Sequence, residues 1–270
     1  MTLLTGLLAI VLSLPAETPV GPPADWFSKQ DTIKVWNLSA GAISADPLGQ
    51  FYIVNAGAIV KYDVGGDSTY SWSEPRTGAI TLIDSSDPMR ILVYQKDFNL
   101  LRFLNNRLAP LSGAIRLDEL GLTTPLALAL SRQGGFWVLD GSTMRIRLID
   151  QQLKTTVESE PLDLPASAET APYHLIESGD QLLLHIPGQE IQMFDLFANR
   201  IRKIAIKALS INAFGDRILL VYPDRILLWK DPFTPEETLF NQPGGGILDA
   251  CLIWNKILIR TSGQVILINR

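Results

Sequence analysis

The sequence contains few of the residues that usually carry chemistry. Its 270 residues include one cysteine, Cys251, and two histidines, His174 and His185. A single cysteine excludes an internal disulfide, and no Gly-x-Ser-x-Gly elbow is present to hold a serine nucleophile near a histidine and a carboxylate. We therefore predict no catalytic residue. Cys251 lies in the apolar segment 248–254, which predicts a buried and unreactive thiol.

The chain also has only a small excess of one sign of charge. The chain has 23 Lys and Arg against 28 Asp and Glu, and its formal net charge is −5. The basic residues are scattered singly, whereas a nucleic-acid-binding surface needs a basic stripe that neutralises phosphates. The composition therefore predicts no nucleic-acid partner.

The apolar segment near the N-terminus is short. Residues 3–14 are apolar or small, and about twelve residues are too few to span a bilayer as a helix. They match the hydrophobic region of a secretory signal. We predict a signal peptide over 1–16, a flexible leader rich in Pro and Gly over 17–30, and a folded domain over 31–270. The expected protein is exported, periplasmic or outer-membrane-associated, with no membrane span after signal cleavage.

What the sequence does contain is a repeat. A hydrophobic strand, a short polar turn and an alternating strand that ends in Asp or Asn recur six times. The closing residues are Asp63, Asn105, Asp150, Asp195, Asp231 and Asn269, at spacings of 42, 45, 45, 36 and 38 residues. Strand-only repeats of this length are typical of the four-stranded blades of a β-propeller. We predict an all-β fold, a six-bladed β-propeller.

The repeats also predict how the ring closes. A first strand near the axis precedes each copy, and an outer strand follows each of the first five. The predicted first strands are 42–45, 79–84, 126–130, 173–177, 209–214 and 247–252, and the predicted outer strands are 69–73, 111–117, 155–159, 201–206 and 237–240. The sixth copy ends at Arg270 without an outer strand. Residues 31–39 alternate apolar and polar, so we predict that they complete the last blade and remove two unpaired sheet edges.

Two turns carry a resemblance to a known family. Asp46-Pro-Leu-Gly-Gln-Phe-Tyr-Ile-Val and Ser131-Arg-Gln-Gly-Gly-Phe-Trp-Val resemble the D-x-x-G-x-[FLI]-[YW]-V pattern of NHL-like propellers. Taken whole, residues 31–270 resemble exported propellers of Bacteroidota. The resemblance implies turn chemistry, because Asp or Ser caps its own backbone and Gly takes a positive φ. It implies little about a ligand.

Four polar residues are candidates for lining the axial channel: Asp84, His174, Asn212 and Asp249. Six-bladed propellers that resemble lactonases hold Ca²⁺ in this channel with Glu, Asn and Asp. Here the inner-strand acids and amides differ in position along their strands, so we predict no metal ligand and no cofactor.

Two acidic connections are candidates for partner recognition. Segment 158–169 is longer than a turn needs, and segment 117–125 has room for one helical turn on an inter-blade connection. Loops on a rigid scaffold commonly carry recognition. The predicted interaction residues are Asp118, Glu119, Glu158, Glu160, Asp163 and Glu169.

The leading functional hypothesis is a non-enzymatic protein-interaction or scaffold module of the cell envelope, with an envelope protein partner, as an accessory subunit of an outer-membrane or secretion assembly. This hypothesis rests in part on analogy between folds. One alternative is a Ca²⁺-dependent, lactonase-like hydrolase with a site in the channel. Another is a binder of small ligands or glycans through exposed aromatics, for which Trp26 and Trp72 are candidates.

Overall fold

The computed structural model describes residues 32–164, 172–231 and 233–270. In these residues the chain forms six antiparallel sheets of four strands each and three short 3₁₀ helices. The predicted signal peptide and leader lie outside the described residues. No helix in the described ranges is long and apolar enough to cross a membrane.

Each sheet is one blade, with strands ordered from the axis outwards. The first blade contains β2 (Ala42–Ala45), β3 (Phe51–Asn55), β4 (Ala58–Tyr62) and β5 (Ser68–Ser73). The second contains β6 (Leu82–Asp84), β7 (Ile91–Gln95), β8 (Leu100–Leu104) and β9 (Ile115–Arg116). The third contains β10 (Pro125–Leu130), β11 (Phe136–Asp140), β12 (Arg145–Ile149) and β13 (Thr155–Glu158).

The remaining blades repeat this order. The fourth contains β14 (His174–Ser178), β15 (Gln181–His185), β16 (Ile191–Asp195) and β17 (Arg200–Ile204). The fifth contains β18 (Ser210–Phe214), β19 (Arg217–Val221), β20 (Arg225–Trp229) and β21 (Glu237–Asn241). The sixth contains β22 (Asp249–Ile253), β23 (Lys256–Arg260), β24 (Val265–Asn269) and, as its outer strand, β1 (Thr32–Trp36).

The predicted closure by the N-terminal strand is confirmed. Strand β1 pairs antiparallel with β24, with Trp36 opposite Val265. The Trp36 ring then reaches the first blade, where its centroid lies 5.6 Å from that of Phe51 and 5.1 Å from that of Tyr62. The N-terminal strand therefore joins the last blade by hydrogen bonds and the first blade by aromatic packing.

The core consists of six apolar clusters, each between two neighbouring blades. The second and third strands of a blade pack against neighbours on both faces, so they read as nearly continuous hydrophobic runs such as Phe51–Asn55 and Ile91–Gln95. Outer strands such as Ser68–Ser73 are mostly exposed. Cys251 is buried, as predicted, and burial raises the pKa of its thiol.

The second blade differs from the sequence prediction in its outer strand. We predicted 111–117, whereas β9 covers Ile115–Arg116, preceded by an isolated bridge between Leu104 and Pro110. Proline has no N–H to donate to the ladder, which interrupts the strand at its start. Leu117 instead begins the 3₁₀ helix Leu117–Leu120, the helical turn predicted for this connection.

The closing residues of the repeat cap the turns that follow them. Oδ1 of Asp150 accepts hydrogen bonds from the backbone N–H groups of Gln152 and Lys154, at 2.9 and 2.8 Å. The same pair of bonds follows the closing residues Asp63, Asn105 and Asp195. The fourth residue of each of these turns has a positive φ, and it is Gly66, Leu108, Leu153 or Ala198.

Leu153 offers a test of the strain at these positive-φ turn positions. Its φ of +61° is costly for a residue with a Cβ, and its side chain is 38% exposed, so little packing depends on it. We expect Leu153→Gly to be more stable than Leu153→Ala by roughly 1 kcal/mol, because both remove the side chain but only glycine relieves the strain. Urea unfolding of the two variants measures the difference. An alanine variant as stable as the glycine variant would contradict this explanation.

Candidate functional site

The first strands of all six blades surround a cavity of about 490 Å³ on the axis of the ring. The four residues predicted to line the channel, Asp84, His174, Asn212 and Asp249, are in its wall. They come from β6, β14, β18 and β22, so they belong to the second, fourth, fifth and sixth blades.

Asp249 and Asn212 belong to one hydrogen-bonded cluster. Oδ1 of Asp249 accepts bonds from the Ser210 hydroxyl at 2.8 Å, the Asn212 amide at 3.0 Å and the Ala250 N–H at 2.9 Å. Burial raises the pKa of Asp249, while the positive charge of Arg260 and the bond from Ser210 oppose that rise. Because the serine donates to the carboxylate directly, this cluster lacks the serine–histidine–carboxylate order of a catalytic triad.

The two histidines lie opposite each other on β14 and β15, with ring centroids 5.7 Å apart. His185 is fully buried, and its Nε2 lies 3.1 Å from the carbonyl oxygen of Ala208. A carbonyl can only accept, so Nε2 carries the proton. Desolvation lowers the pKa of His185 to about 4. It also lowers the pKa of His174, against the opposing effect of Asp249. Both imidazoles are therefore neutral at pH 7.

Asp84 connects two blades. Its Oδ1 accepts from the N–H of Ser86 at 2.9 Å within its own turn. Its Oδ2 accepts from the N–H of Leu130 at 2.7 Å on the first strand of the next blade. Asp84 therefore holds neighbouring first strands together as well as lining the cavity.

Glu177 connects the next pair of blades and also lines the cavity. Its Oε1 accepts from the N–H of Arg132 at 3.0 Å, and its Oε2 accepts from the indole N–H of Trp137 at 2.5 Å. In the described part of the chain, no group of three or more His, Cys, Asp or Glu side chains is arranged to hold a metal ion.

Strand direction gives the ring two distinct faces. Strands in a blade are antiparallel, so the turns from first to second and from third to fourth strand share one face. The turns from second to third strand and the connections between blades share the other. Contacts between blades agree with this assignment, since Ser178 donates to the carbonyl of Gly215 across two equivalent turns.

Acidic residues predicted for interaction lie on the face of the inter-blade connections. Asp118 and Glu119 are exposed on the 3₁₀ helix Leu117–Leu120, where Arg116 pairs with both, at 2.9 and 3.4 Å. Glu160 and Asp163 are exposed in the connection to the fourth blade. Their role in recognition stays a prediction.

The other two acidic residues lie at the ends of that connection. Glu158 is the last residue of β13 rather than a loop residue, and it pairs with Arg145 at 3.3 Å and Arg147 at 2.7 Å. Glu169 lies outside the described residues. The charge of Glu158 is therefore already neutralised within the chain.

The face of the intra-blade turns carries exposed apolar side chains that our sequence analysis missed. We call it the apolar face, and its members are Leu48, Met89, Leu153, Phe197, Phe233 and Trp254, which are 38–92% exposed. Among the described residues, the large exposed apolar side chains on the turns and connections of the opposite face are Phe98 and Leu248. The exposed apolar side chains of the turns are therefore concentrated on one face.

Turn capping explains why these side chains are exposed. Asp46, Asp87, Asp195 and Asp231 each accept a hydrogen bond, at 2.8–2.9 Å, from the N–H two residues later. The residues at that position are Leu48, Met89, Phe197 and Phe233. An Asp-capped turn puts this residue at the tip of a surface loop, where polar residues are usual. An apolar residue two positions after a capping Asp is the sequence signal that could have identified the apolar face.

Two tryptophans differ from the sequence prediction. Trp254 ends the apolar segment 248–254, which favours a place in the core, but it lies in the turn between β22 and β23, is 53% exposed, and packs its ring over Gly49. Trp72 was a candidate for exposed contact, but it is half-buried against the cluster between the first two blades. Trp26 lies outside the described residues.

The fold and cavity define a six-bladed β-propeller, and the comparisons with known proteins show similarity of fold. No protein family model matches the chain, and no curated protein matches it significantly. Solved structures do match. A streptogramin B lyase superposes with a TM-score of 0.60 and 12% identity, over 89% of this chain and 96% of the lyase.

Two further solved propellers are similar. BamB from Moraxella catarrhalis has a TM-score of 0.50 and 11% identity, over 85% of this chain and 84% of BamB. YCF48, solved bound to a D1 peptide, has a TM-score of 0.54 and 10% identity, over 88% of this chain and 96% of YCF48. At such low identity these likenesses show the fold alone.

Proposed function

We propose that this protein is a non-enzymatic interaction module of the cell envelope and docks a partner protein on the apolar face. The observation that carries the proposal is the set of six large apolar side chains exposed at turn tips on one side of a rigid ring. They come one from each blade, so apolar contacts are presented around the whole of this face, and exposed apolar surface concentrated on one side of a domain marks a candidate interaction site. Aromatic side chains such as Phe197, Phe233 and Trp254 are the type that supplies most binding energy at protein interfaces.

The apolar face also carries charged side chains, some of which are paired within the chain. Lys34 pairs with Asp67 at 3.0 Å, and Lys230 pairs with Asp216 at 3.6 Å. Lys256 donates to a backbone carbonyl at 2.6 Å. Arg107, Arg132 and Lys154 on this face are exposed and have no side-chain partner among the described residues, so the face offers mixed charged, polar and apolar contacts of the kind that protein interfaces use.

The location in the envelope rests on the predicted signal peptide over residues 1–16. Within the envelope, the proposed role is that of an accessory subunit of an outer-membrane or secretion assembly. The YCF48 structure, with its bound peptide, is a similar propeller that binds a polypeptide. The rigid ring and the absence of a triad at the Asp249 cluster support a scaffold rather than an enzyme.

Substitutions on the two faces test the proposal. We expect the triple variant Phe197→Ser, Phe233→Ser and Trp254→Ser to lose a stoichiometric envelope partner that the native protein retains after mild crosslinking. Removing three aromatic anchors costs at least about 100-fold in affinity. The matched control is Phe98→Ser, which removes an exposed aromatic from the opposite face and should leave binding unchanged.

A second arm addresses the acidic connection. A variant with Glu160→Ala and Asp163→Ala should also retain the partner. If the triple variant keeps the partner and the variant with Glu160→Ala and Asp163→Ala loses it, the partner binds the acidic connections and not the apolar face.

A second candidate function, small-ligand binding, is favoured by the axial cavity. A glycan binder would gather exposed tryptophans at the cavity mouth, whereas Trp254 lies on a turn and Trp72 is half-buried. The Ca²⁺-dependent alternative has no cluster of three carboxylate or imidazole ligands among the described residues to support it.

A further inference from the structure

The axial cavity has a consistent charge. Three carboxylates from alternate blades line it, Asp84 on the second, Glu177 on the fourth and Asp249 on the sixth. Among the described lining residues the cation is Lys96, whose side chain is exposed. Arg260, which is opposite Asp249 in the pairing of β22 with β23, is not part of the wall, but its positive charge acts on both Asp249 and His174. Low-dielectric walls that carry one sign of charge concentrate ligands of the opposite sign.

His174 supplies an independent indication of a ligand. Its imidazole lines the cavity and is half-buried, and within the described ranges no residue forms a hydrogen bond with it. Desolvation keeps the ring neutral, as described above, so one ring nitrogen is a free acceptor. The imidazole faces the cavity without a protein partner, so a ligand that donates an N–H can form a hydrogen bond there.

Only one of the two carboxylate oxygens of Asp249 accepts hydrogen bonds from the described residues. Its Oδ1 holds three donors, which fix the orientation of the carboxylate. None of the described residues donates a hydrogen bond to Oδ2. Burial disfavours the ionised form of Asp249, and a cationic donor at Oδ2 offsets that penalty by a charge-assisted bond.

We propose that the axial cavity binds a small organic cation, an ammonium or guanidinium group, through Oδ2 of Asp249 and the imidazole of His174. This site is separate from the apolar face and does not depend on the proposed docking function. Its volume of about 490 Å³ is in the range of small-molecule sites. The same chemistry is offered by a free amine and by a Lys or Arg side chain of a bound polypeptide.

Calorimetric titration of the full chain with putrescine and agmatine tests the proposal. We expect saturable binding with a Kd of roughly 1 mM or tighter. Butane-1,4-diol, which matches putrescine in shape but lacks charge, should give no saturable signal. Asp249→Asn and His174→Leu should each weaken binding by about tenfold or more, because each removes one of the two acceptors.

The control variant is Asp180→Asn, which removes the same charge from an exposed turn outside the cavity and should bind like the native protein. Thermal melting of each variant shows whether it is folded. If one of the two cavity variants does not fold, the other still tests the site. A peptide with a central arginine, compared with its citrulline analogue, separates the two sources of the cation. If the arginine peptide binds and the citrulline peptide does not, the ligand is a side chain of a polypeptide. If the amines bind and neither peptide does, the ligand is a free cation.

Three outcomes would overturn the site. The first is that neither amine nor the arginine peptide binds the native protein. The second is that the neutral diol binds as well as putrescine. The third is that Asp249→Asn and His174→Leu are both folded and both bind like the native protein.

Discussion

Removal of residues 1–38 is expected to lower the melting temperature by roughly 10 °C or more. The deletion removes β1, and with it the ladder to β24 and the packing of Trp36 against Phe51 and Tyr62. Loss of a fully buried tryptophan costs about 3–5 kcal/mol; Trp36 is partly buried, so its packing contributes a part of this and the lost ladder to β24 adds to it. The exposed edge of β24 is apolar, so the shortened protein should also aggregate on heating.

The matched control is a protein that lacks residues 1–23 and keeps β1. Its melting temperature should equal that of the full chain, because the whole of the N-terminal strand is retained. Differential scanning calorimetry of the two truncations gives the comparison directly. Equal melting temperatures would mean that the ring does not depend on closure by β1.

His185 is expected to make the fold sensitive to acid. Its pKa is about 4 in the folded protein, below the ordinary 6.5, because the ring is desolvated. The folded state therefore favours the neutral form. The stabilisation is complete above pH 6.5 and is lost as the pH falls towards 4, by about 3 kcal/mol in all.

His185→Gln separates this effect from the titration of carboxylates. Glutamine places a donor near the carbonyl of Ala208 and does not titrate, so its stability should fall less steeply than that of the native protein between pH 6.5 and 4. Urea unfolding at several pH values measures the two profiles, and NMR titration of the ring protons measures the pKa itself. Parallel profiles would show that His185 does not carry the acid sensitivity.

The fold was largely predictable because a propeller repeats one local rule. Alternating and continuous hydrophobic strands indicate each blade. A closing Asp or Asn that caps the next turn recurs once per blade and gives the repeat length, and the bonds to Asp150 show this capping. The N-terminal strand was predictable because a sixth copy without an outer strand leaves an edge to be paired. Strand β9 was predicted less well, because Pro110 and the 3₁₀ helix Leu117–Leu120 shorten it.

The candidate sites were less predictable. Position on a first strand was enough to place Asp84, His174, Asn212 and Asp249 at the axis. It could not indicate that Asp84 binds the next blade or that Oδ1 of Asp249 is occupied, because those partners are about forty residues away in sequence.

The surface position of Trp254 was also not predictable from the sequence. Its segment reads as a core strand, but a two-residue turn places its ring in solvent beside the first blade. The other members of the apolar face also follow from turn geometry rather than from hydrophobicity alone.

The sequence by itself determined the all-β class, the six blades and the strand that closes them, because strand periodicity and turn capping act over a few residues. Only the tertiary structure decided which acceptors are free in the cavity and which side chains share a face. Packing of neighbouring blades brings Asp249 to Asn212, and closing the ring brings Trp254 to Pro47, across sequence separations that no local pattern encodes. Function in such a ring depends on the burial and hydrogen-bond partners that closure creates.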